Sequence, residues 1–553
     1  MPSPEPTTLD TILGLLVTLQ ATVESRFTQL IEKQHSLEAQ LEFIRTQQLQ
    51  PLVNANRKHF TRIANVPSDV VVQIFSWLDP LEAPKFARLS RSFNECLSTL
   101  SFAKANIARF RTFGTRVSDH ENFVDESRTL LASDDMLESP HRFDHLLFCP
   151  NLYYQTAYGL LMGTINTISI SKTNHGEFVD RDDLVFPSQI NLLSSLIILE
   201  AKHCNLKGKL PEGLGDLHHL QTFSIRNNKI TGSIPPSICR LEALEELDVM
   251  ENELEGPIPE EIGNLTRLRD LDLCANSLTG CIPISIGLLT GLTSICLEKN
   301  ELSGPIPKEI GSLKNLDYIN ISANKFTGSI PTEFENLVRL RDMDASSNML
   351  QGEIPDLSRL TSLESLNLSK NRFTGTVPNL SACILLETVD LSDNHFTGPL
   401  VLDAPLLQLC EFNISKNQIN GPIPTHLGGC INLDILNLQD NRLSGPIPEE
   451  LGDLLDLHEL HIGNNHISGQ LPKCLKNMRY LRKLDLRNNT LTGSIPEELY
   501  FGSIDTLNLS NNHLIGFVTP FIFQLLTKEI CNVSGNEELI MEVDWALDVM
   551  FHL

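Results

Sequence analysis

The chain has 553 residues, 41% hydrophobic and 20% charged, which is too long for one ordinary core and too apolar for a disordered polymer, so several domains or a repeat array are expected. Its formal net charge is −26, and the first 130 residues balance their charges, so the acidic surplus lies downstream and disfavours a phosphate backbone as partner. No apolar run approaches the ~20 residues of a membrane span, and MPSPEPTTLD at the start lacks the basic residues of a secretory leader.

Residues 1–8 read as disordered. Over 9–50, Leu9, Leu16, Val23, Leu30, Leu37 and Ile44 recur every seven residues, with Ile12 and Leu19 in the companion positions. This spacing predicts an amphipathic helix that either self-associates as a coiled coil or folds back on its own chain.

Residues 60–100 predict a helical hairpin. Val66 precedes Pro67, whose missing N–H suits a first helical turn, and Asp69 adds a negative charge there. Val70, Val71, Ile74, Phe75 and Leu78 follow at helical spacing, Asp79 and Pro80 break the chain, and Phe86 and Leu89 give the second helix its apolar side. So small a hairpin needs a partner, in this chain or another, and capping the downstream array is one such role. Val66-Pro67, Asp69, the run Ile74-Phe75-Ser76-Trp77-Leu78-Asp79-Pro80, Ser90-Arg91 and Phe93 together are similar to the F-box. The second helix departs from that pattern at Ala83, Arg88 and Phe93. The resemblance implies that Val66, Pro67, Asp69, Val70, Val71, Ile74, Phe75, Leu78, Asp79, Pro80, Phe86 and Leu89 dock a Skp-type adaptor of a cullin-based ubiquitin ligase. Residues 101–162 read as an acidic, partly helical linker. Residues 163–192 read as the cap of the array, with a strand at Thr164–Ile170.

From 193 to 540 the sequence repeats L-x-x-L-x-L-x-x-N-x-L-x-G-x-I-P in steps of 23 or 24 residues. The asparagine recurs at Asn228, Asn252, Asn276, Asn300, Asn324, Asn348, Asn371, Asn394, Asn417, Asn441, Asn465, Asn489 and Asn512; Cys204 fills the slot before and Asn536 the slot after. Such coils cannot bury their apolar edge alone, so they stack into a solenoid with one short parallel strand per turn. Each asparagine is expected at a bend, satisfying backbone groups that a buried loop would leave unpaired. LTGSIP at Leu491–Pro496 and LSGPIP at Leu302–Pro307 resemble the plant-specific leucine-rich repeat. The fold expected is therefore an α/β leucine-rich-repeat solenoid of about fifteen turns, behind a coiled-coil helix and an F-box-like helical domain, with 541–553 as a terminal helix or tail.

The residues just before each asparagine face outward from the inner strands. They include Glu246, Asp248, Met250, Asp270, Asp272, Glu298, Tyr318, Asn320, Asp342, Asp344, Asp390, Glu411, His461 and Asp485, a largely acidic set suited to a basic protein segment, although Asp or Asn is common in this repeat pattern. Twelve cysteines are scattered singly, without C-x-x-C, and are expected reduced, with a cytoplasmic or nuclear location. No phosphate loop, zinc motif or nucleophile elbow is present, so neither catalysis nor a cofactor or metal is expected. The function expected is protein recognition, as substrate receptor of a Skp–cullin–F-box ligase or as a non-ligase scaffold or receptor-like protein.

Overall fold

Every turn of the array bends twice through a left-handed backbone in the computed structural model, which describes residues 164–171, 184–496 and 504–540 and a few upstream residues such as Phe148 and Tyr158. The first bend falls on the residue before the ladder asparagine: Asn227, Glu251, Ala275, Lys299, Ala323 and their counterparts have φ between 51° and 57°. The second falls on the glycine of L-x-G, where the glycines from Gly232 to Gly516 have φ between 73° and 83° and Gly208 of the first turn has 103°, which a side chain would strain. The heptad segment, the hairpin at 60–100 and the tail 541–553 lie outside the described residues.

Between those bends the L-x-L segment forms the inner sheet. Sixteen parallel strands follow chain order from Thr167–Ser171 to Cys531–Asn532. The register advances one repeat at a time, Glu246 beside Asp270, Asp270 beside Ser294, Ser294 beside Tyr318 and Tyr318 beside Asp342. Thr167–Ser171 pairs with Ile198–Lys202 and starts the sheet. Behind it, Phe148, Phe186 and Phe223 close the first turns edge to face, with ring centroids 6.3 and 6.2 Å apart.

After the second bend the chain makes a short outer strand, such as Glu253–Pro257 or His466–Gln470. The proline that follows opens a 3₁₀ turn, as Pro307 does for Lys308–Ser312 and Pro448 for Glu449–Asp453. At Gly311 the stacking is too close for a side chain: a Cβ there would collide with the Glu333 carbonyl oxygen of the next turn. The three steps from Asn348 to Asn417 have 23 residues each, and no 3₁₀ segment is described between Asn336 and Thr425. The lost residue removes the helical turn. Near the end, the helix Pro520–Thr527 takes its place, capped by Thr519, whose hydroxyl accepts the Ile522 N–H at 3.3 Å. Among the described residues no helix is long and apolar enough to cross a membrane.

The ladder joins these parts. Asn417 accepts the Phe396 N–H at 3.0 Å through Oδ1; its Nδ2 donates to Leu391 of the preceding turn at 3.0 Å and to Ile414 of its own at 3.1 Å. Asn252 makes the same set with Ile230, Ile225 and Val249, and the pattern holds through Asn512 to Asn536. Cys204 occupies the first slot, its thiol directed at the carbonyls of Lys202 (3.2 Å) and Ile170 (3.6 Å). Asn417→Ala strands a buried N–H and two carbonyls, so urea denaturation should show a loss of about 3 kcal/mol. Asn228→Ala, at a more exposed rung, should lose less.

Candidate functional site

The inner sheet presents two columns of side chains, six and four residues before each ladder asparagine, with different duties. In the nearer column the side chain turns back onto its own chain. Asp248 accepts the N–H of Met250 (3.2 Å), Asp272 that of Cys274 (3.0 Å), Asp344 that of Ser346 (2.8 Å), Asp390 that of Ser392 (2.9 Å) and Asp485 that of Arg487 (3.1 Å). These bonds close the strand ends, so the acid or amide that most turns carry here serves the fold. Two residues expected to face outward are nearly covered, Asp248 at 7% exposure and Asn320 at 8%. Asp248 accepts the Ser224 hydroxyl at 2.7 Å, and Asn320 binds both the backbone N–H and the hydroxyl of Ser322 while donating towards Glu298 and Tyr318.

The farther column has no such duty. Glu246, Asp270, Asp342 and Glu411 stand in it, and among the described residues none takes part in an ion pair. Burial, reinforced by neighbouring carboxylates, raises all four above the usual carboxylate range. Beside them, burial and the charges of Asp248 and Asp270 push Asp272 up to about 6, against the N–H bond from Cys274. These turns therefore form an acidic floor short of cations. Tyr318 and half-buried Met250 add apolar surface, and Glu298 is occupied by Lys299 at 2.8 Å. Further along, His461 and Lys483 both meet Glu459, at 3.0 and 2.8 Å, and Arg487 meets Asp485 at 3.5 Å, so that end is balanced.

Two features escaped sequence reasoning. Cys274 and Cys296, expected as free thiols, form a disulfide between neighbouring turns, with Cα atoms 5.7 Å apart. Cys274 sits two residues before Asn276, just past its strand, and Cys296 four before Asn300, on the adjacent strand; that spacing was the signal for the pair. Asp272 approaches both sulfurs, but each is spent on the bond. The second feature is an amide row at the left-handed bends. Asn464 donates to Asp440 (2.5 Å), Asn488 to Asn464, and Asn511 to Asn488 (2.6 Å). Its signal was the Asn-Asn doublets, since asparagine tolerates this backbone better than most residues.

Comparison with known families completes the picture. Residues 63–104 match the F-box domain, and every adaptor-contact position named above falls inside that match. Residues 187–298 match a leucine-rich repeat region, and 315–337, 362–383, 432–454 and 456–514 match leucine-rich repeats. This chain is an F-box protein with leucine-rich repeats. No curated protein matches this chain. Among solved structures it is similar to PEPR1–AtPEP1, with 28% identity, a TM-score of 0.60, and coverage of 68% of this chain and 56% of that one. It is also similar to the plant peptide hormone receptor RGFR1 in complex with RGF2 (31% identity, TM-score 0.53, 65% and 68% covered). A third is the Arabidopsis receptor kinase HAESA in complex with the peptide hormone IDA and the co-receptor SERK1 (28%, 0.53, 70% and 76%). The F-box/leucine-rich-repeat chain thus spans little more than half the PEPR1 chain. Its F-box and repeats are protein-interaction modules.

Two measurements test the electrostatics and the cross-link of this F-box/leucine-rich-repeat protein. Asp272 keeps its proton in the folded state up to about pH 6, whereas in the unfolded chain it ionises near 3.8, as an ordinary aspartate does. Its contribution to stability is therefore present at low pH and lost as pH rises through that window. Asp272→Asn should gain of order 1 kcal/mol over wild type at pH 7, after discounting for partial exposure, and little at pH 4. Urea titrations at both pH values decide it. Peptide mapping without reductant should join Cys274 to Cys296, a separation of 22 residues. Replacing both by serine should cost about 3 kcal/mol.

Proposed function

We propose that the chain is the substrate receptor of a Skp–cullin–F-box ubiquitin ligase, with catalysis in the partner subunits. The F-box at 63–104, in one chain with a binding solenoid, carries this reading. The F-box holds the Skp-type adaptor, and the acidic floor around Glu246, Asp270, Asp272 and Asp342 receives a lysine- or arginine-rich segment of the target. The heptad at 9–50 supplies self-association, and the work is done in the cytoplasm or nucleus.

A specific observation favours a second reading, a receptor-like or scaffold protein outside the ligase pathway. The Cys274–Cys296 disulfide is of a kind rare in reducing compartments, and the solved structures above include receptors bound to peptide hormones.

Copurification separates the two. The full chain, coexpressed with a Skp-type adaptor and a cullin, is expected to retain the adaptor. Leu78→Asp, which puts a charge at an apolar position of the F-box match, should lower retention at least about tenfold with unchanged unfolding of the solenoid. A wild-type chain that captures no adaptor removes the ligase reading and leaves the second standing.

A further inference from the structure

One flank of the solenoid changes character halfway along. Ten residues before each ladder asparagine, the chain turns from the outer side into the inner strand, and this residue points to solvent. In seven successive turns the position holds His218, Glu242, Thr266, Thr290, Lys314, Val338 and Thr361, polar in all but one. In the next four it holds Ile384, Leu407, Ile431 and Leu455, between 53% and 63% exposed. Leu385 widens the row at its start, and Tyr480 of the following turn extends it, its ring stacked 6.1 Å from His458. Single exposed aliphatic residues are ordinary on a protein surface, but four in register on consecutive turns make a continuous stripe.

The rim is charged with one sign. Segments 381–387, 404–410, 428–434 and 452–458 carry Glu387, Asp434, Asp453 and Asp456 and contain no lysine or arginine. Asp434 meets His458 Nδ1 at 2.6 Å; the other three acids have no ion pair among the described residues. Basic residues stand on either side of the stripe, Arg359 in the turn before it and Arg479 and Arg482 in the turn after.

We propose that this lateral stripe docks an amphipathic helix with basic flanks, supplied by a partner protein. Turns spaced about 4.8 Å apart place successive stripe residues close to the ~5.4 Å by which a helix advances each turn. A helix with apolar residues at i, i+4, i+7 and i+11 therefore covers all four, while a strand repeats one face only every ~6.8 Å and falls out of step. The acidic rim selects lysine or arginine on the helix flanks. It also weighs against a second copy of this chain, which would set like charges face to face, and against an anionic lipid surface. The stripe is separate from the inner floor, so it stands whether or not the ligase reading does.

The test uses the full chain and a synthetic 18-residue peptide with leucines at i, i+4, i+7 and i+11 and lysines opposite, followed by fluorescence anisotropy. Saturable binding is expected, weakened at least about tenfold by Leu407→Ser with Ile431→Ser, and weakened with a shallower salt dependence by Asp434→Asn with Asp456→Asn. Asp270→Asn on the inner face should leave it within about twofold. The four stripe and rim positions are solvent-facing and Asp270 is half-buried; unchanged thermal unfolding verifies that the variants fold. The proposal is overturned if a scrambled peptide of equal composition binds as well, if the serine pair has no effect, or if Asp270→Asn abolishes binding. It is equally overturned if the serine pair converts a dimer of the free chain to monomer in sedimentation, or if stripe-dependent binding is found instead to phosphatidylserine vesicles.

Discussion

One primary amide per turn holds this architecture together. A solenoid coil must bury backbone where it bends, and each buried N–H or carbonyl left unpaired costs as much as a lost hydrogen bond. The ladder asparagine answers for three such groups at once, drawn from two turns, as Asn252 does for Ile230, Ile225 and Val249. A carboxylate could not donate to the two carbonyls, and a hydroxyl could not reach all three groups. Because each amide ties its own turn to the one before, local folding and stacking become the same event, and the coil has no stable conformation apart from its neighbours.

The same rung explains why the preceding residue takes a left-handed backbone whatever its identity. Glutamate, alanine, lysine, serine and asparagine all adopt it, although for most of them it costs of order 1 kcal/mol or more. The strain is uniform along the array, so it comes from the geometry of the bend rather than from any one site. With stability carried by the amides and by leucines packed between turns, the outward columns are released from structural duty to different degrees. Residues four before the rung still serve the strand end. Those six before it, and those ten before it on the flank, serve nothing inside the turn. The unpaired acids and the exposed aliphatic residues accumulate in those two columns.

This division also sets what the sequence could disclose. The period located the rungs, the strands and the outward columns, because each repeat sees the same surroundings and its pattern needs no long-range information. Cys204 and Asn536 could be placed in the ladder on spacing alone. What lay hidden was everything decided between turns rather than within one. That Asp248 is covered depends on Ser224 of the neighbouring turn, and the disulfide depends on Cys274 and Cys296 meeting across a strand pair. The aliphatic stripe needed the knowledge that the tenth residue before the rung points outward. Loss of the 3₁₀ turn in the three 23-residue steps from Asn348 to Asn417 was written in the spacing, but only as a missing residue. The F-box residues were legible for another reason, a compact motif whose match covers 63–104.

The acidic floor has a physical consequence for whatever binds it. Its carboxylates are raised by burial first and by one another second, and near pH 6 Asp272 still holds part of its proton. A lysine or arginine entering this surface opposes the second cause by adding to the little counter-charge that Lys202 and Arg226 supply. It therefore favours the ionised acid and expels protons as it binds. A neutral or acidic segment has no such gain and meets the unrelieved repulsion of Glu246, Asp248, Asp270 and Asp272. Discrimination on this face then comes from the array's own unmet electrostatic demand, which the amide ladder allows to persist because the fold does not rely on those charges.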